Sequence, residues 1–294
     1  MSAAPSPDAL RLSNGIVELQ VPTAFGPRVM AYGFEGEPSV LAPSDAQRET
    51  PHGTWHAYGG HRLWVAPERF PETYALDDAP PDIERDGERR AVVRRRRNPL
   101  TGLTVELELS LAAASSVVTL EHRIRNDGNA AREAAAWGIS IVRANGVAVI
   151  PNAQFRPQRE ALLPVRTLAL WRYTDLADGR FAAGTAFVRM RCDPSREAPN
   201  KIGVACERGW FAYVVDGTAF VIRSPRDECA TYPDFGSNVE VYTEGAFCEV
   251  ETLSPLVTLA PGETLRHTVQ WSLVRVAGED DASLLDALEK HLSA

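Results

Sequence analysis

The sequence predicts an all-β protein, either a β-sandwich or a large barrel. Eight short segments alternate apolar and polar residues with a period of two, and they are rich in β-branched and aromatic residues. Turn sequences such as "SNG", "NDGN" and "VDGT" separate them, and only one segment has a helical pattern. Many short strands with almost no helix pack as two sheets or as one closed sheet.

The predicted strands are 16–21, 28–36, 104–111, 117–126, 137–142, 209–223, 239–243 and 265–276. Asp216 and Gly217 at the centre of 209–223 suit the positive φ angles of a tight primed turn, so this segment is predicted to be a hairpin. The C-terminal "DDASLLDALEKHL" has leucines at helical spacing and acids in its first turn, which predicts a short helix.

We interpret residues 1–294 as a single domain, with residues 1–10 as a flexible tail. The composition is that of an ordinary globular protein, and no stretch has the composition of an interdomain linker. The proline-rich segments 71–81 and 151–164 are interpreted as loops at the rim of a site rather than as domain boundaries.

Charge and composition exclude several classes of partner. The formal charge of −8 argues against nucleic acid. No apolar run approaches the roughly 18 residues needed to span a membrane, so no membrane partner is expected. The N-terminus lacks the pattern of a signal peptide, which makes a cytoplasmic location the default expectation. The four cysteines form no CxxC pair and no grouping with histidine, so no metal site is predicted.

Two glutamates lie in the strand-like stretch "FCEVETLSP". Glu249 and Glu251 face the same side of a strand because side chains alternate. A solvent-facing side would explain them without any function. A functional reading has equal weight, since paired carboxylates hold one pKa up by mutual repulsion and so provide an acid or base near neutral pH.

A second cluster, "WHAYGGHRLWVAPERF" at 55–70, includes His61, Arg62 and Trp64. Aromatic rings stack on sugar faces while arginine and histidine bind hydroxyls, so this composition suits a sugar site. The alternative is a loop whose tryptophans plug the end of the fold and whose arginine pairs with an acid. No third ligand lies near the histidines to suggest zinc.

Four further residues are candidates for the same site. Asn238 and Glu240 share a strand face, and Lys201 stands at the start of an apolar strand. Trp137, in "AAAWGISIV", is interpreted either as core or as a cavity wall. The alternative for the polar three is an ordinary solvated surface.

The C-terminal stretch "VEVYTEGAFCEVETLSP…LAPGET…HTVQWSL" resembles the signature of galactose mutarotase, an aldose 1-epimerase. The segments "LSNGIVELQVPTAFGPRVMAYGFEGEPSVL" and "LEHRIRNDGNAAREAAAWGISIV" are similar to the opening hairpin and the mid-chain strands of that superfamily. The resemblance implies a large antiparallel β-supersandwich, with a short C-terminal helix in this chain, and an open cleft for a carbohydrate.

The resemblance also implies roles for individual residues. Glu251 falls on the general base that takes the anomeric proton, and His61 and Arg62 fall near residues of the sugar site. The mid-chain histidine that acts as general acid falls near Trp137, which cannot supply a proton. Either His61 or another residue is then the acid, or the chain is not a mutarotase, and His61 is the candidate. Lys201 falls near an aspartate, and this charge reversal suggests an anionic ligand.

Three functions follow from these observations. The first is an aldose 1-epimerase-like isomerase, which needs no cofactor, with Glu251 as base and His61 as acid. The second is a non-catalytic carbohydrate-binding protein. The third is a glycoside hydrolase or lyase with paired carboxylates. The expected partner is a small carbohydrate, and the expected state is a monomer or homodimer. The residues predicted to bind the sugar are Arg62, Trp64, Trp137, Lys201, Asn238, Glu240 and Glu249.

Overall fold

The computed structural model describes residues 9–95, 97–278 and 280–293. Residues 1–8 of the predicted tail lie outside this range. The strands are β1 (Ala9–Ser13), β2 (Val17–Pro22), β3 (Arg28–Val29), β4 (Ala31–Phe34), β5 (Gln47–Thr50), β6 (Gly53–His56), β7 (His61–Ala66), β8 (Asp82–Asp86), β9 (Arg90–Arg95), β10 (Leu103–Leu111), β11 (Val118–Asn126), β12 (Arg132–Ile141), β13 (Val147–Pro151), β14 (Leu168–Leu170), β15 (Phe181–Ala183), β16 (Phe187–Arg191), β17 (Asn200–Val204), β18 (Trp210–Val215), β19 (Thr218–Arg223), β20 (Val239–Glu244), β21 (Phe247–Leu253), β22 (Val257–Leu259) and β23 (Thr264–Arg275).

Two large antiparallel sheets dominate the fold. A ten-stranded sheet has the order β15-β16-β13-β18-β19-β23-β11-β10-β9-β8. An eight-stranded sheet has the order β14-β17-β20-β21-β12-β7-β3, with β22 paired to β12. Two small sheets, β1-β2-β4 and β5-β6, complete the strands. The described chain is therefore almost entirely β, as the sequence predicts.

Helical structure is confined to short pieces apart from the C-terminal helix. That helix, Asp281–Ser293, buries Leu284 and Leu288 in a cluster formed with strands of the ten-stranded sheet. The other pieces are Glu72–Tyr74, Gln158–Glu160 and Pro233–Gly236. No helix in the described part of the chain is both long and apolar enough to cross a bilayer.

The main core lies between the two large sheets. Alternation places Leu107, Leu109 and Leu120 of the ten-stranded sheet on the same buried side as Val241 and Val250 of the eight-stranded one. All five side chains are almost completely buried. The opposite face of the eight-stranded sheet is therefore free to carry polar side chains, and it is this face that carries the candidate site.

Most predicted strands are present, with small shifts at their ends. The hairpin predicted over 209–223 is formed by β18 and β19, with Asp216 and Gly217 at φ angles of 48° and 71° in its turn. The predicted strand 28–36 is divided into β3 and β4, which belong to different sheets. Such a break leaves no mark in an alternating pattern, because both halves keep the same period.

Candidate functional site

Five strands of the eight-stranded sheet place the candidate residues on one face. Register aligns Arg62 of β7 with Ile139 of β12, and Ile139 with Glu251 of β21. Glu251 is in turn opposite Glu240 of β20. Residues opposite each other in a sheet share a face, so this row crosses the outer side of the sheet. Positions two residues further along these strands project on the same side of the sheet. They are occupied by Trp137 on β12, Glu249 on β21 and Lys201 on β17.

A buried ion cluster lies at the centre of this face. The ammonium of Lys201, on β17, is 2.7 Å from Glu240 Oε2 and 3.1 Å from Glu251 Oε2. Both glutamates are fully buried, and they are directly opposite each other across the strand pair. Two like charges in that position repel each other, so the lysine between them stabilises the arrangement.

Trp137 completes the surroundings of Glu251. Its indole Nε1 donates a hydrogen bond of 2.6 Å to Glu251 Oε2, the same oxygen that the lysine contacts. Within the described residues no donor reaches the other oxygen, Glu251 Oε1. Trp137 therefore binds the predicted base directly, in addition to forming part of the wall.

Burial and charge shift the pKa values of this cluster in opposite ways. Burial alone would lower the pKa of Lys201, but the charges of Glu240 and Glu251 outweigh it and raise that pKa well above its usual value. Burial, with repulsion from Glu251, raises the pKa of Glu240 well above that of an ordinary glutamate even though Lys201 opposes it. The lysine is therefore a fixed cation, and Glu240 takes up a proton more readily than an ordinary glutamate.

A second ion pair borders the cluster. Arg62 Nη2 is 2.8 Å from Glu249 Oε1, and the guanidinium lies over the Trp64 ring at 4.3 Å. Burial raises the pKa of Glu249, against the opposing effect of Arg62. Nε and Nη1 of this arginine have no hydrogen-bond acceptor among the described residues. Buried donors of this kind normally find a partner, so Arg62 retains a capacity to bind oxygen atoms.

A continuous aromatic wall stands beside these charges. Trp64 contacts Trp55, Tyr74 and Trp137 with ring centroids 5.2, 4.9 and 5.5 Å apart, mostly edge to face. Trp171, on the other side, lies 4.6 Å from the Lys201 ammonium. Aromatic rings arranged in this way offer flat apolar faces next to polar groups.

The wall and the charges enclose an open cleft of about 720 Å³. This volume is within the range of small-molecule sites, roughly 300–1,000 Å³. Glu249, Lys201 and Arg62 line it, whereas Glu251 and Glu240 lie beneath its surface, covered by Lys201. The predicted base is therefore at the floor of a cleft but does not face it directly.

His61 lies on the other face of the sheet, contrary to the expectation that it shares a pocket with Glu251. It is opposite Ser140 in the register and is buried between the two sheets. Its neighbour Arg62 faces the cleft, and adjacent residues of a strand point to opposite sides. His61 is therefore not the acid partner of Glu251 in this geometry, and that part of the prediction is wrong.

The surroundings of His61 give it a structural role. Its Nδ1 is 2.9 Å from Ser140 Oγ, and its Nε2 is 2.8 Å from His122 Nε2. His122 Nδ1 donates to the carbonyl of His267 at 3.1 Å, so in the neutral pair His122 Nε2 accepts a hydrogen bond from His61 Nε2–H. Burial lowers the pKa of both His61 and His122, the latter to about 4.

Asn238 also stands away from the cleft. Its side-chain oxygen accepts the Cys206 amide at 2.7 Å, and its side-chain nitrogen donates to the Cys206 carbonyl at 3.3 Å. These bonds join the end of β17 to the start of β20. The predicted role in sugar binding has no support from this position.

Several residues of the cleft were not predicted from the sequence. Arg48 lies 4.4 Å from the Tyr74 ring, and Tyr74 donates to Glu68 at 2.6 Å, which forms one rim. On the opposite rim Tyr242 donates to Glu244 at 2.6 Å. The loop 71–81 supplies Tyr74, whereas residues 151–164 do not line the cleft. Residues of the cleft that the prediction did not name include Arg48, Tyr74, Trp171 and Tyr173.

No cluster of three or more histidine, cysteine or acidic residues suited to a metal ion occurs within 9–95, 97–278 and 280–293. The carboxylates of the floor are held by Lys201 and Arg62. These side chains offer acid–base chemistry and hydrogen bonding.

Solved structures show which known proteins share this fold. A TPR-domain containing protein from Parabacteroides distasonis aligns with a TM-score of 0.62 and 16% identity over 92% of this chain. This chain spans only 47% of that protein. A putative aldose 1-epimerase from Escherichia coli K12 aligns with a TM-score of 0.55 and 11% identity, covering 91% of this chain and 99% of its own. A galactose mutarotase-like protein from Lactobacillus casei gives 0.53 and 10%, covering 90% and 100%.

The fold is galactose mutarotase-like. This confirms the fold class predicted from the sequence and the fold that the resemblance implies, and identities of this size establish the fold alone. No protein-family model matches the sequence, and no curated protein matches it either. The activity of a galactose mutarotase-like chain must therefore be argued from its own cleft.

Proposed function

We propose that the cleft binds a small carbohydrate. The observation that carries this proposal is the combination of an aromatic wall, formed by Trp64 and its neighbours, with polar groups at its base. A sugar has flat faces of C–H groups and a ring of hydroxyls, so it needs both features in one pocket. The galactose mutarotase-like fold adds to this support, since proteins described as aldose 1-epimerases share it.

Two groups are suited to hold sugar hydroxyls. Arg62 lines the cleft and has guanidinium donors beyond those that bind Glu249. Lys201 has three N–H bonds, of which its two carboxylate partners occupy two. The remaining one points to neither glutamate and is available to a hydroxyl oxygen.

The test of this proposal is direct binding. We expect a panel of aldopentoses and aldohexoses to include at least one that shifts NMR signals of the protein with saturable affinity. Trp64→Ala should weaken that binding by about tenfold, because one aromatic contact contributes on the order of 1 kcal/mol or more. Phe155→Ala removes an exposed aromatic ring that does not line the cleft and is the control. Absence of saturable binding across the panel would refute the proposal.

Interconversion of sugar anomers is the second candidate function. The observation that favours it is the buried Oε1 of Glu251, which has no hydrogen-bond donor among the residues described here. For Glu251 to reach a ligand, the side chain of Lys201 must move, whereas Glu249 already faces the cleft. General acid–base catalysis of this kind contributes roughly 10²–10⁴-fold per group.

Anomer exchange, followed by polarimetry or NMR on the sugars that bind, tests this second candidate. Glu251→Gln should reduce the rate at least 10²-fold if Glu251 is the base, with binding retained. Glu249→Gln made in parallel shows whether the exposed carboxylate is the base instead. Wild-type rates equal to the uncatalysed rate would leave carbohydrate binding as the sole function.

A further inference from the structure

The charges around the cleft are unequal, and this bears on the kind of sugar it takes. The floor holds two cations, Lys201 and Arg62, against three carboxylates, Glu240, Glu249 and Glu251. The rim adds one cation and three further acids. In total, three cations face six carboxylates, a formal net charge of −3. The set is Arg48, Arg62, Lys201, Asp45, Glu68, Glu240, Glu244, Glu249 and Glu251.

Both cations of the floor are already neutralised. Lys201 has carboxylate oxygens at 2.7 and 3.1 Å, and Arg62 has one at 2.8 Å. A cation that faces two carboxylates has no net attraction left for a third anion at similar distance. The positive charge of Lys201, which the sequence linked to an anionic ligand, is therefore already balanced inside the protein.

Two carboxyl groups beneath the cleft each keep one oxygen without a hydrogen-bond donor. Across the described ranges, Oε1 of Glu240 and Oε1 of Glu251 have no donor, whereas both Oε2 atoms face Lys201, and both residues are fully buried. A proton on Glu240 reduces the net charge to −2 without reversing its sign. The formal charge of this set is negative for either protonation state of Glu240.

We infer that this cleft discriminates among sugars by charge, favouring an ammonium-bearing amino sugar over the neutral sugar and disfavouring the corresponding uronate. This inference rests on the proposed carbohydrate binding. An ammonium gains from the excess of carboxylates around the cleft. A carboxylate or phosphate adds negative charge to a set that already has an excess of it, and Arg62, the floor cation with unused donors, is already paired with Glu249.

The experiment compares three ligands that differ at one carbon: 6-amino-6-deoxyglucose, glucose and glucuronate, and the same set in the galactose series. Affinities are measured by calorimetry or NMR at about pH 6.5, below the usual pKa of an amine. We expect the amino sugar to bind at least tenfold more tightly than the uronate, with a ratio that falls as salt is raised. An equal or reversed order in a series that binds would overturn the inference and leave the proposed function intact.

Variants of the rim residues test whether the negative charge around the cleft causes the preference for the amino sugar. Glu68→Gln with Glu244→Gln removes two negative charges from the rim, and the amino-to-uronate ratio should fall by about threefold or more. Glu207→Gln removes an exposed charge that does not line the cleft and should leave the ratio unchanged. An unchanged ratio in the rim double variant would also overturn the inference. Failure of all six ligands to bind would instead refute the proposed function, and this inference with it.

Discussion

At the residue scale, the most unusual side chain is Lys201. It is buried between two glutamates and between the rings of Trp137 and Trp171, at 4.9 and 4.6 Å from their centroids. A buried ion pair contributes little net stability relative to apolar residues, yet loss of one partner leaves an uncompensated charge. The lysine therefore matters more for holding Glu240 and Glu251 in place than for adding stability.

Replacement of Lys201 by methionine should lower the free energy of unfolding by about 3 kcal/mol at neutral pH. The loss should be smaller near pH 5, because a carboxyl left without its cation takes up a proton instead. Urea denaturation at the two pH values measures both effects. Lys290→Met, which breaks an exposed pair with Asp286, should cost less than about 0.5 kcal/mol.

A Lys201→Met protein as stable as the wild type at both pH values would contradict this account of the cluster. The double variant Lys201→Met with Glu240→Gln offers a further check, since it removes one carboxyl together with the cation. It should regain part of the lost stability.

At the scale of the elements, strand alternation predicted one part of the site and missed another. Glu249 and Glu251 do share a face of β21, as the period of two indicates. The same rule places His61 and Arg62 on opposite faces, but the family resemblance grouped them in one site. The strand alternation is correct here, because both residues lie inside the regular strand β7.

Other parts of the cleft could not be derived from the sequence. Trp171 and Tyr74 come from loops and short pieces far apart along the chain, and only the tertiary fold brings them to the same cleft. The burial of Lys201 could not be predicted from the sequence either, because a lysine at a strand end is normally solvated. The fold class followed from period and turn chemistry, whereas these placements depend on packing between distant segments.

The backbone at Gly60 lies close to the backbone of β3 and needs a residue without a side chain. Its φ of 65° is a left-handed conformation, and a Cβ there would lie 2.2 Å from the Val29 carbonyl oxygen. Gly60→Ala should therefore cost the strain of that conformation, about 1–2 kcal/mol, together with a steric term of roughly 1–3 kcal/mol. Thermal or urea unfolding measures the sum.

Gly87 is a matched control for this change. It has nearly the same φ of 66°, and nothing lies within 4 Å of its Cβ position. Gly87→Ala should cost only the strain. If the two alanine variants lost equal stability, the close approach of β3 to Gly60 would not be the cause.

At the scale of the whole molecule, the two large sheets are joined by a buried chain of histidines. His61 belongs to the eight-stranded sheet, and His122 and His267 belong to the ten-stranded one. Burial lowers the pKa of His122 to about 4 and that of His267 to about 3. All three side chains are neutral in the folded protein at neutral pH, so the interface between the sheets carries no charge at this point.

This arrangement predicts a loss of stability in mild acid. As pH falls below 6.5 the unfolded chain binds protons at His122 while the folded protein does not, so the free energy of unfolding decreases until about pH 4. Above pH 6.5 the contribution is fully present. Glu240 and Glu249, with raised pKa values, act in the opposite direction, so the contribution of His122 must be isolated by substitution.

We expect His122→Gln to be less stable than wild type at pH 7 and to lose less further stability between pH 6.5 and pH 4. Urea titrations at several pH values measure this difference. His52→Gln alters an exposed histidine and should follow the wild-type curve. Parallel curves for wild type and His122→Gln would contradict the assignment of acid sensitivity to the buried histidines.

The contacts of Trp137 have an optical consequence. Four of the six tryptophans, Trp55, Trp64, Trp137 and Trp171, line the cleft, so most of the indole fluorophores lie there. Trp137 donates to the carboxylate of Glu251, and both Trp137 and Trp171 face the Lys201 ammonium. The emission of these indoles depends on the charges beside them. Binding of a molecule that displaces Lys201 should therefore change the tryptophan emission, so that binding can be followed without any added label.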